Sequence, residues 1–158
     1  MKVTAYAKYF NATPQSLDAE ERNQVFTYFQ LLGKVESPMV SLVVPVFRAK
    51  ETLMAHIFSL IHLKTIVPYE VIFVDNNADE ASLSILQEMG AHIVKEERQG
   101  ITYARQKGLE RARGEVVCSL DPDTIYEPWY IDKMAIPCLL YTSPSPRDLS
   151  TSRMPSSA

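Results

Sequence analysis

The sequence predicts an α/β fold in which a mostly parallel sheet is flanked by helices. Short apolar segments rich in β-branched residues alternate with longer segments of helical periodicity, as in right-handed β-α-β units. Two of the apolar segments, Val40 to Phe47 and Glu70 to Asp75, are hydrophobic almost throughout, which is typical of strands buried on both faces. Sheets of this kind bind their ligands beyond the carboxyl ends of the strands.

Capping residues and apolar spacing delimit the remaining elements. Asp79 can cap a helix, and Gly33, Gly90 and Gly114 each stand where a helix should end. The predicted helices span residues 16 or 18 to 32, 51–63, 80–89, 102–113 and a last one beginning near residue 128, and the two further strands span residues 92–94 and 115–120.

Composition narrows the class of protein. The net charge of -3 over 158 residues gives no basic surface for nucleic acid, and the 46 % hydrophobic and 22 % charged residues are ordinary for a globular domain. No apolar run of about 18 residues is present, so no transmembrane segment is predicted, and the N-terminus lacks the apolar core of a signal peptide. The two cysteines, Cys118 and Cys138, form no metal motif, and a cytoplasmic protein is expected.

The chain divides into three parts. We expect a helical extension over residues 1–36, a ligand-binding domain over residues 37–137, and a disordered polar tail over residues 138–158. In that tail the blocks CLLYTSPSPRD and SRMPSSA resemble a translated sequencing-library adapter in one reading frame, separated by an index-sized gap. The tail is therefore expected to be non-native, with the native sequence interrupted near Pro137.

Polar side chains follow three of the predicted strands. Arg48 follows the first strand, Asp75-Asn76-Asn77 ends the second, and Asp121-Pro122-Asp123 follows the fourth. Because parallel strands end at the same edge of a sheet, these side chains are expected to meet at one rim.

The Asp121-Pro122-Asp123 segment is open to two interpretations. Mg²⁺ is usually held in proteins by one or two carboxylates together with substrate phosphates. Pro122 favours extended geometry at Asp121, and alternate side chains of an extended segment point the same way, so the two carboxylates can share one ion. The alternative is a turn that ends the strand, where Asp and Pro are both common.

Other patterns exclude several chemistries. Neither glycine-rich phosphate loop is present, which argues against a dinucleotide dehydrogenase and a P-loop enzyme. No Ser-His-Asp set or nucleophile elbow is readable. We interpret His56, His62 and His92 as ordinary structural residues. Asp75, taken alone, is equally compatible with a loop cap and with a contact to a base or ribose.

Three segments together carry a resemblance to a known family. VSLVVPVFRAKETL, YEVIFVDNNADEAS and GITYARQKGLERARGEVVCSLDPDTIYEPWYI, in this order, resemble the N-terminal half of family 2 glycosyltransferases of the GT-A fold. The resemblance covers Met39 to Lys133 and leaves residues 1–36 unexplained. It implies a Rossmann-like GT-A sheet, truncated at its C-terminal side. It also implies inverting transfer of a sugar from a nucleotide-diphosphate donor to an acceptor hydroxyl.

The resemblance implies four residues around the nucleoside. Pro45 and Phe47, in the place of the family's P-x-Y, would line the base pocket, although Phe47 lacks a tyrosine's hydroxyl. Asp75 and Asn76 match the acidic pair that contacts uracil or thymine and the ribose. Asn76 stands in the place of the commoner Asp, and its amide offers both a donor and an acceptor to a base edge.

The resemblance implies three further residues around the diphosphate. Arg105, in ITYARQKG, matches the Arg of the family's A-R-N helix and would pair with the diphosphate, with surface charge as the alternative. Asp121 and Asp123 match the D-x-D motif, which holds Mg²⁺ or Mn²⁺ on the diphosphate. Asp121 would face the ribose side and Asp123 the ion.

The resemblance also implies partners and limits. The donor is expected to be a UDP-sugar and the acceptor a saccharide or lipid-linked sugar in cell-surface polysaccharide or glycolipid synthesis, with peripheral association at the inner face of the membrane. The general base is expected beyond Pro137, so this chain is expected to bind a donor weakly and to transfer nothing. The alternatives are a non-catalytic nucleotide-binding α/β fragment and a sugar-phosphate nucleotidyltransferase, which should carry a glycine-rich loop after the first strand.

Overall fold

A computed structural model describes residues 3–142. Two 3₁₀ helices, Val3–Tyr9 and Pro14–Ser16, precede the first α-helix. The described α-helices are α1 (Ala19–Leu32), α2 (Leu53–Ile61), α3 (Glu80–Glu88), α4 (Ile101–Arg111) and α5 (Tyr130–Thr142), and the strands are β1 (Val40–Val46), β2 (Tyr69–Asp75), β3 (Ile93–Lys95) and β4 (Val116–Ser119). The elements predicted from residue 16 onward are confirmed, with ends that differ by a few residues.

The four strands form one parallel sheet in the order β3-β2-β1-β4. The register pairs Val46 with Asp75 and Val43 with Ser119, so the carboxyl ends of the three longest strands lie along one edge. The predicted α/β class with a parallel sheet is confirmed. β1, β2 and β3 lie side by side in the sheet in the order in which they occur in the chain, so right-handed crossovers place α2 and α3 on one face. The connection from β3 to β4 runs across the sheet in the opposite direction, so it places α4 on the other face.

The two faces are buried by different sets of side chains. On the α4 face, Ala104 packs with Val43, Ile72 and Val74 of the sheet. On the opposite face, α1, α2 and α3 bury a larger cluster that includes Phe58 of α2 and Phe73 of β2. β1 and most of β2 are consequently buried throughout, as the apolar runs predict.

The N-terminal residues belong to the larger core. Tyr9 stacks on Phe58 of α2 with ring centroids 3.7 Å apart and the planes 6° from parallel. Phe29 of α1 meets Phe73 of β2 edge to face at 5.8 Å, and the backbone N–H of Asn11 donates to the carbonyl of Glu51 at 2.7 Å. Three helices, Val3–Tyr9, Pro14–Ser16 and α1, lie in the segment predicted as a helical extension, and Tyr9 and Asn11 of this segment pack directly on α2 and the residues just before it.

The last helix departs from the sequence prediction at both ends. It begins at Tyr130 rather than near Pro128, and it continues through Thr142. The segment Cys138–Thr142, predicted to be disordered, is helical because it extends the hydrogen-bonded turns of α5, and Cys138 Sγ donates to the carbonyl of Met134 at 3.4 Å. The rest of the predicted tail lies outside the described residues. None of the helices within residues 3–142 is long and apolar enough to cross a membrane.

Candidate functional site

The carboxyl ends of β1, β2 and β4 are joined by backbone hydrogen bonds into one rim. Asn76 N–H donates to the carbonyl of Val46 at 3.0 Å, and Leu120 N–H donates to that of Val43 at 2.8 Å. These contacts continue the sheet beyond its strands and bring the predicted polar segments of all three strand ends to the same edge, as the parallel topology requires.

A cavity of about 290 Å³ lies at the end of β1 on the α4 side of the rim. It is lined by Pro45, Val46, Phe47, Asn76, Gln99, Gly100 and Ile101. The ring of Phe47 is 38 % exposed, and the guanidinium carbon of Arg48 lies 5.1 Å from its centroid. The cavity therefore offers an aromatic face and apolar walls, which suit a planar ring.

Asp75 is almost entirely buried at the end of β2. Its Oδ1 accepts a hydrogen bond from the backbone N–H of Ala78 at 2.8 Å, and its Oδ2 lies 4.0 Å from Lys95 Nζ. One carboxylate oxygen therefore caps the loop that leads to α3, and the other accepts no hydrogen bond from the described residues. The two interpretations of Asp75 are compatible, because each can use a different oxygen.

Asn76 is buried and hydrogen-bonded to the loop that precedes α4. Its Nδ2 donates to the carbonyl of Glu96 at 3.1 Å and to that of Arg98 at 2.7 Å. Its Oδ1 accepts from the backbone N–H of Gly100 at 2.8 Å. Both amide hydrogens are therefore used inside the protein, and the predicted contact between the Asn76 side chain and a base stays a prediction with no free donor to make it.

The same loop is closed on itself by an ion pair. Glu96 accepts from the backbone N–H and the Nε of Arg98, both at 2.9 Å. These hydrogen bonds from Arg98 lower the pKa of Glu96 to about 2, so the carboxylate stays ionised at neutral pH. On the outer side, Asn77 Nδ2 donates to the carbonyl of Glu97 at 3.1 Å. The loop is held at several points along its length.

The Asp121-Pro122-Asp123 segment is a turn. Thr124 N–H donates to the carbonyl of Asp121 at 3.2 Å, which closes a four-residue turn with Pro122 at its second position. Of the two interpretations of this segment, the turn is the geometry that the structure shows, and the sharing of one ion by the two carboxylates stays a prediction. Arg105 Nη2 of α4 lies 3.4 Å from Asp121 Oδ1, with about half of each side chain exposed (50 % and 56 %). An exposed pair of this kind contributes little to stability, and both groups remain accessible to a ligand.

Three polar side chains bind this turn and the residues just after it: Thr52, which precedes α2, and His56 and Ser59 of α2. Thr52 Oγ1 donates to the carbonyl of Pro122 at 3.0 Å. His56 Nδ1 lies 2.9 Å from the carbonyl of Thr124, and Ser59 Oγ accepts from the backbone N–H of Tyr126 at 3.3 Å. The spacing of four and three residues places all three on one face of the helix.

His56 is fully buried and neutral. Burial lowers its pKa to about 4, although the hydrogen bond to Thr124 and the charges of Asp123 and Asp121 act in the opposite sense. A carbonyl can only accept, so Nδ1 carries the proton. Nε2 is buried and has no partner among the described residues. His56 therefore acts as a fixed hydrogen-bond donor to the turn rather than as a metal ligand or an acid.

Asp123 lines a second cavity, of about 470 Å³, on the α2 and α3 side of the rim. Its other lining residues are Arg48, Ala49, Lys50, Glu51, Thr52, Asp79 and Ala81. Within residues 3–142 no group of three His, Cys, Asp or Glu side chains is arranged to hold a metal ion by itself. Two exposed carboxylates without a third protein ligand fit Mg²⁺ or Mn²⁺ that completes its coordination with phosphate oxygens.

The fold is that of a GT-A glycosyltransferase. The structure is similar to that of the mannosyltransferase PcManGT from Pyrobaculum calidifontis, solved in complex with GDP-Man and Mn²⁺, with a TM-score of 0.50 and 18 % identity. The similarity covers 82 % of this chain and 41 % of that one. At this level of identity it shows the architecture alone.

The sequence assigns the family. The sequence model of glycosyl transferase family 2 matches residues 41–136, more than half of the chain. The chain therefore belongs to the family 2 glycosyltransferases, and the predicted family is confirmed.

Relatives in Bacillus subtilis (strain 168) agree with this assignment. The chain is 32 % identical over 105 residues to the putative glycosyltransferase EpsH, covering 63 % of this chain and 30 % of EpsH. It is 32 % identical over 103 residues to the putative teichuronic acid biosynthesis glycosyltransferase TuaG, covering 61 % and 39 %. The chain thus spans less than half the length of these relatives.

The sequence did not predict the buried side chains that hold the loops of the site in place. His56 and Ser59 interrupt an otherwise apolar helix on the face that carries Thr52, and that spacing was the available signal. The loop contacts of Asn76 had no such signal, because their partners are backbone groups 20 to 24 residues away in sequence.

Proposed function

We propose that this chain binds a nucleoside-diphosphate sugar and a divalent cation at the rim, as the donor-binding part of an inverting glycosyltransferase. The observation that carries the proposal is the order of groups along the sheet edge. The aromatic cavity at Phe47 lies at the end of β1, and the acidic turn at Asp121 and Asp123 follows β4, the neighbouring strand, with Arg105 beside it. The cavity at Phe47 suits a base, Arg105 suits a diphosphate, and the acidic turn suits a cation, in that order along the sheet edge.

Each residue has a distinct proposed task. Pro45 and Phe47 pack against the base, and Oδ2 of Asp75, which accepts no hydrogen bond from the described residues, accepts from the nucleoside. Arg105 presents a guanidinium, whose donors suit phosphate oxygens, and Asp121 and Asp123 supply carboxylates for Mg²⁺ or Mn²⁺. When bound, the cation stabilises the charge that develops on the leaving diphosphate. The exposed Arg105–Asp121 pair is free to open, because it is weak in water.

The partners are proposed from the family and from the relatives. A UDP-sugar is the proposed donor, and a saccharide or lipid-linked sugar is the proposed acceptor. PcManGT binds GDP-Man, which supports a nucleotide sugar as the donor class. The name of TuaG refers to teichuronic acid biosynthesis, which supports a role in cell-surface polysaccharide synthesis. By the same family analogy, the proposed location is the cytoplasm, at the inner face of the membrane.

Calorimetry with UDP and Mn²⁺ tests the proposal. We expect saturable binding heat that EDTA abolishes, and an affinity lowered by about tenfold or more in Asp123→Ala, because a charge-assisted metal ligand is lost. Glu20→Gln, which removes an exposed carboxylate from α1, is the matched control and should bind as the wild type does. UDP binding that survives both EDTA and Asp123→Ala would sink the proposal.

A further inference from the structure

We propose that Gln99 reads the edge of the nucleotide base and that Asn76 is a positioning residue that holds the loop carrying Gln99. The inference rests on the proposed function, because it concerns the base of the same donor. It differs from the simplest expectation for Asp75 and Asn76, in which the Asn76 side chain contacts the base directly.

Asn76 acts on both sides of Gln99. Its Nδ2 donates to the carbonyl of Arg98 at 2.7 Å, and its Oδ1 accepts from the N–H of Gly100 at 2.8 Å. The backbone atoms before and after Gln99 are thus bound by one buried amide. An aspartate in this place would lose both donors and would set a carboxylate against the carbonyls of Glu96 and Arg98. This requirement gives a physical reason for asparagine at this position.

The rest of the loop is fixed independently of a ligand. Glu96 N–H donates to the carbonyl of Asp75 at 2.9 Å, and the Glu96 carboxylate binds the backbone and guanidinium of Arg98. Gly100 has φ of 139°, a conformation that side-chain-bearing residues rarely adopt, and it is the N-cap residue of α4. The backbone conformation on both sides of Gln99 is therefore fixed, and it determines where the Gln99 side chain lies.

The Gln99 side chain is exposed and available. It lines the same cavity as Pro45 and Phe47, and it forms no hydrogen bond with any residue of the described range 3–142. A carboxamide places one donor group beside one acceptor, which complements a base edge where a ring N–H stands beside a carbonyl oxygen. Phe47 then provides the face for the base and Gln99 the edge. Asn76 cannot supply that pattern, because both of its hydrogens are engaged.

Substitution of Gln99 by glutamate separates base recognition from folding. A carboxylate only accepts, so it pairs with the two adjacent N–H groups of guanine and repels the carbonyl oxygen beside the ring N–H of uracil. We expect Gln99→Glu to raise the ratio of GDP to UDP affinity by about tenfold or more, measured by calorimetry with Mn²⁺. The thermal midpoint should stay unchanged, because the side chain is exposed and makes no internal contact. An unchanged ratio would overturn the assignment of Gln99.

Substitution of Asn76 by aspartate tests the positioning role. We expect Asn76→Asp to weaken UDP and GDP by about tenfold, while binding of Mn²⁺-pyrophosphate, which has no base, stays within about twofold. Asn77→Asp is the matched control, because Asn77 donates to Glu97 of the same loop on its exposed side; it should change neither ligand. Equal losses for the nucleotides and pyrophosphate, or none, would overturn the positioning role. A wild-type chain that binds neither nucleotide would instead overturn the proposed function itself.

Discussion

The buried imidazole of His56 shows how the setting of a single side chain fixes its chemistry. It is enclosed by α2 and the acidic turn, its proton is committed to the carbonyl of Thr124, and burial favours the neutral ring. Its usual capacity to titrate near neutral pH is therefore suppressed in the folded state and restored when the chain unfolds.

The stability of the protein should consequently depend on His56 between about pH 7 and pH 5. The folded pKa of about 4 is below the unfolded value of about 6.5, so the unfolded state binds more protons in this window and stability falls as the pH falls. We expect a loss of about 2 kcal/mol from this residue, measured by urea denaturation at the two pH values.

Two variants isolate that contribution. His56→Gln keeps an N–H donor but cannot titrate, so its stability should vary less over the same pH range. His62→Gln, which replaces an exposed histidine at the end of α2, is the matched control. If His56→Gln retains the full pH dependence, His56 is not its source.

At the scale of elements, α4 owes its position to small residues on its inner face. Ala104 and Gly108 face β1 and β2, and a Cβ at Gly108 would lie 2.1 Å from Val43 Cγ1. The N-cap of the same helix is Gly100, and the helix carries Arg105, so its close approach to the sheet places Gly100 at the cavity beside Phe47 and Arg105 beside Asp121.

Gly108→Ala should therefore destabilise the protein although alanine is the better helix former. The gain in helix propensity is about 1 kcal/mol, whereas overpacking against Val43 forces the helix or the strand to shift. We expect a net loss of about 1–3 kcal/mol in urea denaturation. Leu109→Ala, at a neighbouring position that is 60 % exposed, should stay within about 0.5 kcal/mol. A Gly108→Ala protein as stable as the wild type would show that α4 does not need this close approach.

The sequence was informative where one local pattern decides the structure. The apolar runs of β1 and β2 and the Asp79 cap predicted their elements, since each depends on neighbouring residues alone. The sequence left the geometry of Asp121-Pro122-Asp123 open between an extended segment and a turn, because Thr52 and His56, which hold the turn, are far away in sequence. The buried role of Asn76 escaped for the same reason, whereas the roles assigned to the other candidate residues stay predictions.

At the scale of the whole molecule, the N-terminal residues and the family domain share one core. Tyr9 covers Phe58 of α2, and its hydroxyl donates to Glu21 of α1 at 3.0 Å. The family match begins only at residue 41, yet the segment before it buries the outer side of the helix that supports the acidic turn.

Tyr9→Ala should therefore lower the free energy of unfolding by about 2 kcal/mol, because it removes a stacked, half-buried ring from the core. The measurement is urea denaturation followed by circular dichroism. Tyr141→Ala removes a ring that is 88 % exposed on α5 and should have almost no effect. Equal stability of the two variants would mean that the N-terminal segment is not part of the cooperative unit.

The attachment of the acidic turn to α2 also has a thermodynamic consequence for association. A loop that orders only when its ligand arrives loses conformational entropy at that moment, and the loss reduces the observed affinity. Here Thr52, His56 and Ser59 have fixed the turn during folding. A ligand that contacts Asp121 and Asp123 would therefore not have to order the backbone of the turn, and the entropic penalty would be confined to the ligand and the two carboxylate side chains.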